Sequence, residues 1–315
     1  MNRRAWALFL LVSVLWGVPY FLIKIAIADL SPVLLVAGRV TIAALVLLPV
    51  AALRGTLVAL RGRLRTVTAL AMLHIVAPFL LITYGETHIS SSLTGLLIAI
   101  EPVLIAVLMS RTEPMAPGRV AGLIVGFTGV AVLVGVNVSG DRLGLLGAGM
   151  VLAAAVGYAL ATILVQRRLA DVPPEALAGG TTAISAVLLA PFAALALPDR
   201  AVRPEAWASL VVLGVFCTAV ALLAFYRLVG LAGSNRAGLV TYLNPVVAVL
   251  LGVVLLDEHL GVSTVAGFVL VAAGCWLSTR PARPVTQAPD QKITAARPAA
   301  AGTAVGARHG VAPEG

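Results

Sequence analysis

Leu97-Ile98-Ala99-Ile100-Glu101-Pro102-Val103-Leu104-Ile105-Ala106-Val107 is an apolar run interrupted by an acid and then at once by proline. The same design returns, 143 residues on, in Val240-Thr241-Tyr242-Leu243-Asn244-Pro245-Val246-Val247-Ala248-Val249-Leu250. A polar residue and a proline side by side are costly in a membrane helix. Finding them at matching places in two halves of a chain points to a transporter's substrate site, with each helix broken at its proline.

Composition agrees with a membrane setting. Of the 315 residues, 60% are hydrophobic and 11% charged, and the mean hydropathy is +1.05. Soluble domains are typically about 45–50% apolar and roughly 25% charged. The net charge of +9 comes without the aromatic-interleaved basic stripe of a nucleic-acid binder, so no nucleic-acid partner is expected. Cys217 and Cys275 both lie in apolar runs, which argues against a disulfide framework.

Ten apolar windows are long enough to cross a bilayer. They fall at 6–28, 32–53, 66–85, 92–110, 117–137, 144–165, 175–197, 207–229, 236–256 and 262–279. The expected architecture is an all-α polytopic membrane protein. Residues 281–315, rich in Ala, Pro and Gly, bury too little apolar area to order and are expected to form a disordered cytoplasmic tail. With the N-terminus inside, the inner segments carry twelve arginines and the outer ones only Arg142, Arg200 and Arg203. That places both termini in the cytoplasm.

The likeness between halves goes beyond the opening phrase. Ala121-Gly122 matches Ala266-Gly267, Gly129 matches Gly274, and Glu113 matches Glu258, each at an offset of 145. Leu80-Leu81-Ile82-Thr83-Tyr84 matches Leu222-Leu223-Ala224-Phe225-Tyr226. Five helices per copy is an odd number, so the second copy enters the membrane the other way up. The expectation is two inverted five-helix repeats, 6–137 and 144–280, around a central cavity.

Trp16-Gly17, Gly38-Arg39, Glu101-Pro102, Asn244-Pro245 and Leu255-Leu256-Asp257-Glu258 together resemble the EamA-type drug/metabolite transporter superfamily, over about residues 6–280. The first copy departs from the pattern, with Ser110-Arg111-Thr112-Glu113 at the place of Leu256-Asp257-Glu258. The resemblance implies a ten-helix inner-membrane carrier of small polar metabolites, often amino acids or their derivatives and usually exported. A drug-like cation is a further candidate substrate.

A charge near the bilayer centre costs at least about 2.5–3.5 kcal/mol on insertion scales. Lys24, Arg39, His74 and Glu101 fall inside spans and are expected to line a polar cavity or to pair with one another. Thr94, Ile98, Glu101 and Ile105 share one face of span 4, and Pro102 frees the carbonyl of Ile98. Thr94 and Glu101 are therefore substrate-binding candidates. Glu101 is also the proton-coupling candidate, since buried carboxylates can exchange a proton near neutrality. The competing reading pairs it statically with Arg39 or Lys24. Thr241 and Asn244 are the matching candidates in span 9, with interhelical hydrogen bonding as the alternative. Trp16, Tyr20 and Lys24 recur every four residues and form one stripe, suited to stacking and to a carboxylate. Lys24 alternatively snorkels to the outer interface. Arg39 suits a substrate carboxylate or a pairing with Glu101.

The expected partners are a small-molecule substrate and the lipid bilayer. A monomer is expected, with a homodimer open. No cofactor or metal is expected, and no His-Glu-x-x-His, Gly-x-Ser-x-Gly or Walker loop marks an enzyme. The alternative function is a lipid or polyprenyl flippase, or a non-transporting membrane partner.

Overall fold

Ten helices account for the regular architecture of the computed structural model, which describes residues 3–110, 117–137, 141–232 and 240–279. The expected tail, 281–315, and the Arg111–Glu113 departure lie outside the described residues. The helices are α1 (Arg3–Ala26), α2 (Pro32–Leu53), α3 (Leu64–Gly85), α4 (Ser91–Met109), α5 (Pro117–Asn137), α6 (Arg142–Arg168), α7 (Pro174–Ala194), α8 (Pro204–Gly214 continuing through Ala221–Ala232), α9 (Val240–Leu256) and α10 (Val262–Thr279). A short 3₁₀ turn, Thr56–Leu60, sits between α2 and α3. No strand occurs among the described residues. Eight helices are long and apolar enough to span a bilayer, and α9 and α10 are shorter apolar helices.

Because successive helices alternate in direction, α1, α3, α6 and α8 contribute their ends to two opposite rims. The rim where α1 starts is here the near rim, and the rim where it ends the far rim.

Helix contacts survive exchange of the halves. The pairs α5–α10, α2–α7 and α4–α9 each join a helix to its counterpart. The contact α1–α9 is matched by α6–α4, α3–α6 by α8–α1, and α2–α8 by α7–α3. Single residues follow the same rule. A Cβ on Gly122 would lie 2.9 Å from the Gly274 carbonyl oxygen, and one on Gly129 would lie 2.8 Å from that of Gly267. Backbone therefore meets backbone at both crossings of α5 with α10, the close approach that only small residues permit in lipid. At the near rim, Arg63 grips Asp171 in a fork, Nη1 to Oδ1 at 2.6 Å and Nη2 to Oδ2 at 2.7 Å. At the far rim, Arg203 Nε donates to Asp29 Oδ2 at 2.6 Å. Asp171 follows α6 as Asp29 follows α1, and Arg63 precedes α3 as Arg203 precedes α8. In both pairs the arginine hydrogen bond holds the aspartate carboxyl below the usual carboxylate range. The exchange is the pattern that inverted five-helix repeats require.

α3 and α8 also share an irregularity. Each carries a π segment, Met72–Val76 and Val215–Val220. Such wide turns are frequent where a helix presents functional side chains.

Candidate functional site

The two polar-proline motifs do not behave alike. α4 stops at Ile98, turns through Ala99 and Ile100, and restarts at Glu101. Pro102 causes this. It has no N–H to give to Ile98, and its ring is favoured in a first helical turn. Glu101 thus opens the second half-helix, where the helix dipole suits a carboxylate. The Cys275 thiol of α10 donates to the Ala99 carbonyl at 3.1 Å, taking up part of the opened backbone. α9, by contrast, runs without interruption from Val240 through Pro245 to Leu256, so the expected second break is not made. Asn244 explains part of the difference. With its amide oriented as the two surrounding carbonyls require, its nitrogen donates to the Val240 carbonyl at 2.9 Å and to the Ser13 carbonyl of α1 at 3.1 Å, which binds the first turn of α9 together and to its neighbour.

Glu101 Oε1 accepts from Thr162 Oγ1 of α6 at 3.3 Å. Neither Arg39 nor Lys24 forms an ion pair with it, so the static ion-pair reading is replaced by a hydroxyl contact. Arg39 is buried, with Nε donating to Thr218 Oγ1 at 2.9 Å and the guanidinium carbon 4.0 Å above the centre of the Phe79 ring. Thr218, in the π segment of α8, in turn donates to the Leu213 carbonyl five residues back at 2.8 Å. The two terminal nitrogens of Arg39 have no acceptor among the described residues. Among the described residues no carboxylate pairs with this arginine.

Tyr20 of α1 and Tyr158 of α6 complete the group. Tyr20 and Tyr158 lie within electrostatic reach of each other and of both Arg39 and Glu101. Tyr158 also packs edge-on against His74 in the π segment of α3, with ring centres 5.6 Å apart. The structure therefore gathers two phenols, a guanidinium and a carboxylate from α1, α2, α4 and α6. That set can hold a zwitterion, with the carboxylate at Arg39 and the ammonium at Glu101.

The remaining candidates lie elsewhere. Trp16 stacks at 4.8 Å on Phe225 of α8. Lys24 lies towards the far rim and donates to the carbonyls of Glu86 at 2.6 Å and Ile89 at 2.8 Å. Thr94 is fully buried and donates back to the Ser90 carbonyl of its own helix. Asn244 sits in the α1–α9 contact, and Thr241 is half-buried in the first turn of α9.

Sequence reasoning missed Tyr158, Thr162 and Glu86. Tyr158 falls at Trp16 plus 142, the offset that also joins Asp29 to Asp171. Carrying the repeat back into the first helices would have found it. Glu86 was passed over because it follows the end of span 3, yet it is wholly buried. Glu258, the last residue of the Leu255–Glu258 motif, caps α4: its carboxylate accepts from the backbone N–H and hydroxyl of both Ser91 and Ser92.

Comparison with known proteins decides the family. The model of the EamA-like transporter family matches residues 4–135 and again 145–280. The chain belongs to the EamA-like transporter family. It is a multi-pass membrane transporter. Similar full-length relatives include an uncharacterized transporter of Archaeoglobus fulgidus, 26% identical over 279 residues, covering 88% of this chain and 99% of the relative. The uncharacterized transporter YvbV of Bacillus subtilis is 29% identical over 284 residues, covering 89% of this chain and 92% of the relative. The uncharacterized inner membrane transporter YedA of Escherichia coli is 28% identical over 289 residues, covering 86% and 91%. A solved structure titled "Crystal structure of protein" superposes with a TM-score of 0.64 at 22% identity, covering 89% of this chain and 97% of its own. It supports the fold alone.

Proposed function

We propose that this transporter is a secondary carrier exporting a small zwitterionic metabolite, an amino acid or derivative, by alternating access between two inverted repeats. The observation that carries the reading is Arg39: a buried guanidinium that no carboxylate pairs among the described residues, within electrostatic reach of Tyr20 and Tyr158, each of which is also within reach of Glu101. A buried charge of this kind marks a substrate or ion path by default. Arg39 takes the carboxylate, Glu101 takes the ammonium or a proton, and the two tyrosines position the ligand. Asn244, Thr241, Thr94, Trp16 and Lys24 support the elements that shape the site. The arginine-rich near rim faces the cytoplasm, with both termini on that side.

Counterflow in proteoliposomes, screened over amino acids, nucleosides and cationic drugs, tests this. Zwitterionic amino acids or their derivatives should exchange, and Arg39→Gln should lose substrates bearing a carboxylate first. Exchange of cationic drugs alone, unaffected by Arg39→Gln, would refute the assignment.

A second reading draws on the groove between α4, α5 and α6, about 280 Å³, lined by apolar side chains including Ile100, Leu104, Phe127 and Val156. A lateral groove beside the α4 break suits a lipid flippase. Translocation of a fluorescent short-chain lipid without counterflow of any polar solute would favour it.

A further inference from the structure

Glu86 is the side chain that neither the site nor the frame uses. It ends α3 at the far rim and is fully buried, and neither carboxyl oxygen has a hydrogen-bond partner. None of the neighbouring donors is turned to it. The Lys24 ammonium bonds the backbone carbonyls of Glu86 and Ile89, stapling α1 to the turn after α3. The donors of Ser91 and Ser92 are occupied by Glu258. Arg39 turns its Nε to Thr218 and its guanidinium face to Phe79, and none of its nitrogens reaches the Glu86 carboxyl. An ionised carboxylate in this place costs far more than a neutral acid, because neither oxygen would receive a donor to replace water. An ammonium as close as that of Lys24 would normally claim the carboxylate. That it takes the backbone carbonyl of the same residue instead points to a neutral carboxyl.

We propose that Glu86 is a proton-binding site of the far rim: protonated while Lys24 staples the rim shut, and ionised when the rim opens, its carboxylate then drawing the Lys24 ammonium off the two carbonyls. The proton leaves to the water that enters as the rim parts, and returns from that side before closure. The charged and titratable groups facing Glu86 are Lys24 and Tyr20 on α1, Arg39 on α2 and Glu258 at the α9–α10 turn. α6 packs on the preceding Gly85 through Gly147 and Val151, which carry no charge, while Asp141 and Arg142 at its start are exposed. His88 lies on the same turn as Glu86. The matching place in the second half, 142 residues on, is Leu228, also fully buried. An apolar side chain is thus compatible with the packing there.

The proposal stands apart from Glu101 and needs no identified substrate. The probe is deuterium exchange at the amides of residues 85–92 in the full chain in nanodiscs, expressed as protection so that the intrinsic pH dependence divides out. Wild-type protection should fall about tenfold as the pH rises from about 5 to about 8. Glu86→Gln should keep the low-pH protection throughout, and Glu86→Leu should do the same, covering the case that the amide packs badly. Glu101→Gln should retain the wild-type profile. A wild-type profile in both Glu86 variants overturns the inference. So does a flat profile in Glu101→Gln alone, which would assign the proton to Glu101 and leave the carrier reading intact.

Discussion

α4 and α9 hold matched places, yet they are built to different ends. α4 breaks at Pro102 and sets a carboxylate in the first turn of its second half, with Thr162 of α6 as its hydrogen-bond partner. α9 runs through Pro245 and spends its polar residue on the Ser13 carbonyl of α1. Each helix thus reaches the first helix of the opposite half, one with a group that can change charge and one with a group that cannot. The same contrast recurs at Glu86 and Leu228. Around these places the halves agree, in the glycine crossings, the π segments and the aspartate–arginine pairs. The contacts of the frame are matched between the halves and the side-chain chemistry is not.

If that contrast holds, Glu101→Gln has the largest effect. It should lower counterflow about ten- to a hundredfold, the worth of a charged hydrogen bond of roughly 1.5–3 kcal/mol, and flatten the dependence on pH, while the protein stays monodisperse. Equal losses from Asn244→Ala would break the contrast. The frame can be tested by Gly129→Ala and Gly274→Ala. Each inserts a methyl where α5 and α10 touch backbone to backbone and should cost about 1–3 kcal/mol, read as matched drops in melting temperature. Clearly unequal drops would argue against equivalent crossings. Asn244→Ala should then lower stability by roughly 0.6–1.7 kcal/mol, the range of hydrogen bonds between membrane helices, with little change in exchange rate.

The smallest effects belong to the rims. Because arginine lowers the Asp29 and Asp171 carboxyls below their ordinary 3.8, their stabilisation is present above that value and is lost as the pH falls through the lower folded-state value. Asp29→Asn and Asp171→Asn should therefore melt slightly below wild type at neutral pH and converge on it in strong acid. The Asp171 pair is exposed on both sides and the Asp29 pair on its arginine side, so salt should shrink the difference, more for Asp171. A persistent gap in acid would mean that the aspartates act other than through their charge.

Much of the frame was legible in the chain. Apolar windows located all ten helices, and the 145-residue offset identified the glycines that meet across α5 and α10. Arg39, Glu101 and Tyr20 stood out because charge and phenol are rare in apolar runs. What was not legible depended on neighbours. Nothing in Asn244-Pro245 alone says that the asparagine would bind its own helix and prevent a break. Glu86 looked like an ordinary residue past a helix end, and only packing shows it sealed in. Asp29 and Arg203 are 174 residues apart, and their pairing appears only once α1 and α8 lie side by side.

The glycine crossings carry one more implication. Gly122 meets Gly274 while Gly129 meets Gly267, so each glycine of α5 faces the counterpart of the other. The surface is isologous in all but connectivity, as in a twofold homodimer. Small residues on one helix thus meet the small residues that the other offers, so a bulky substitution on either helix is felt at both crossings.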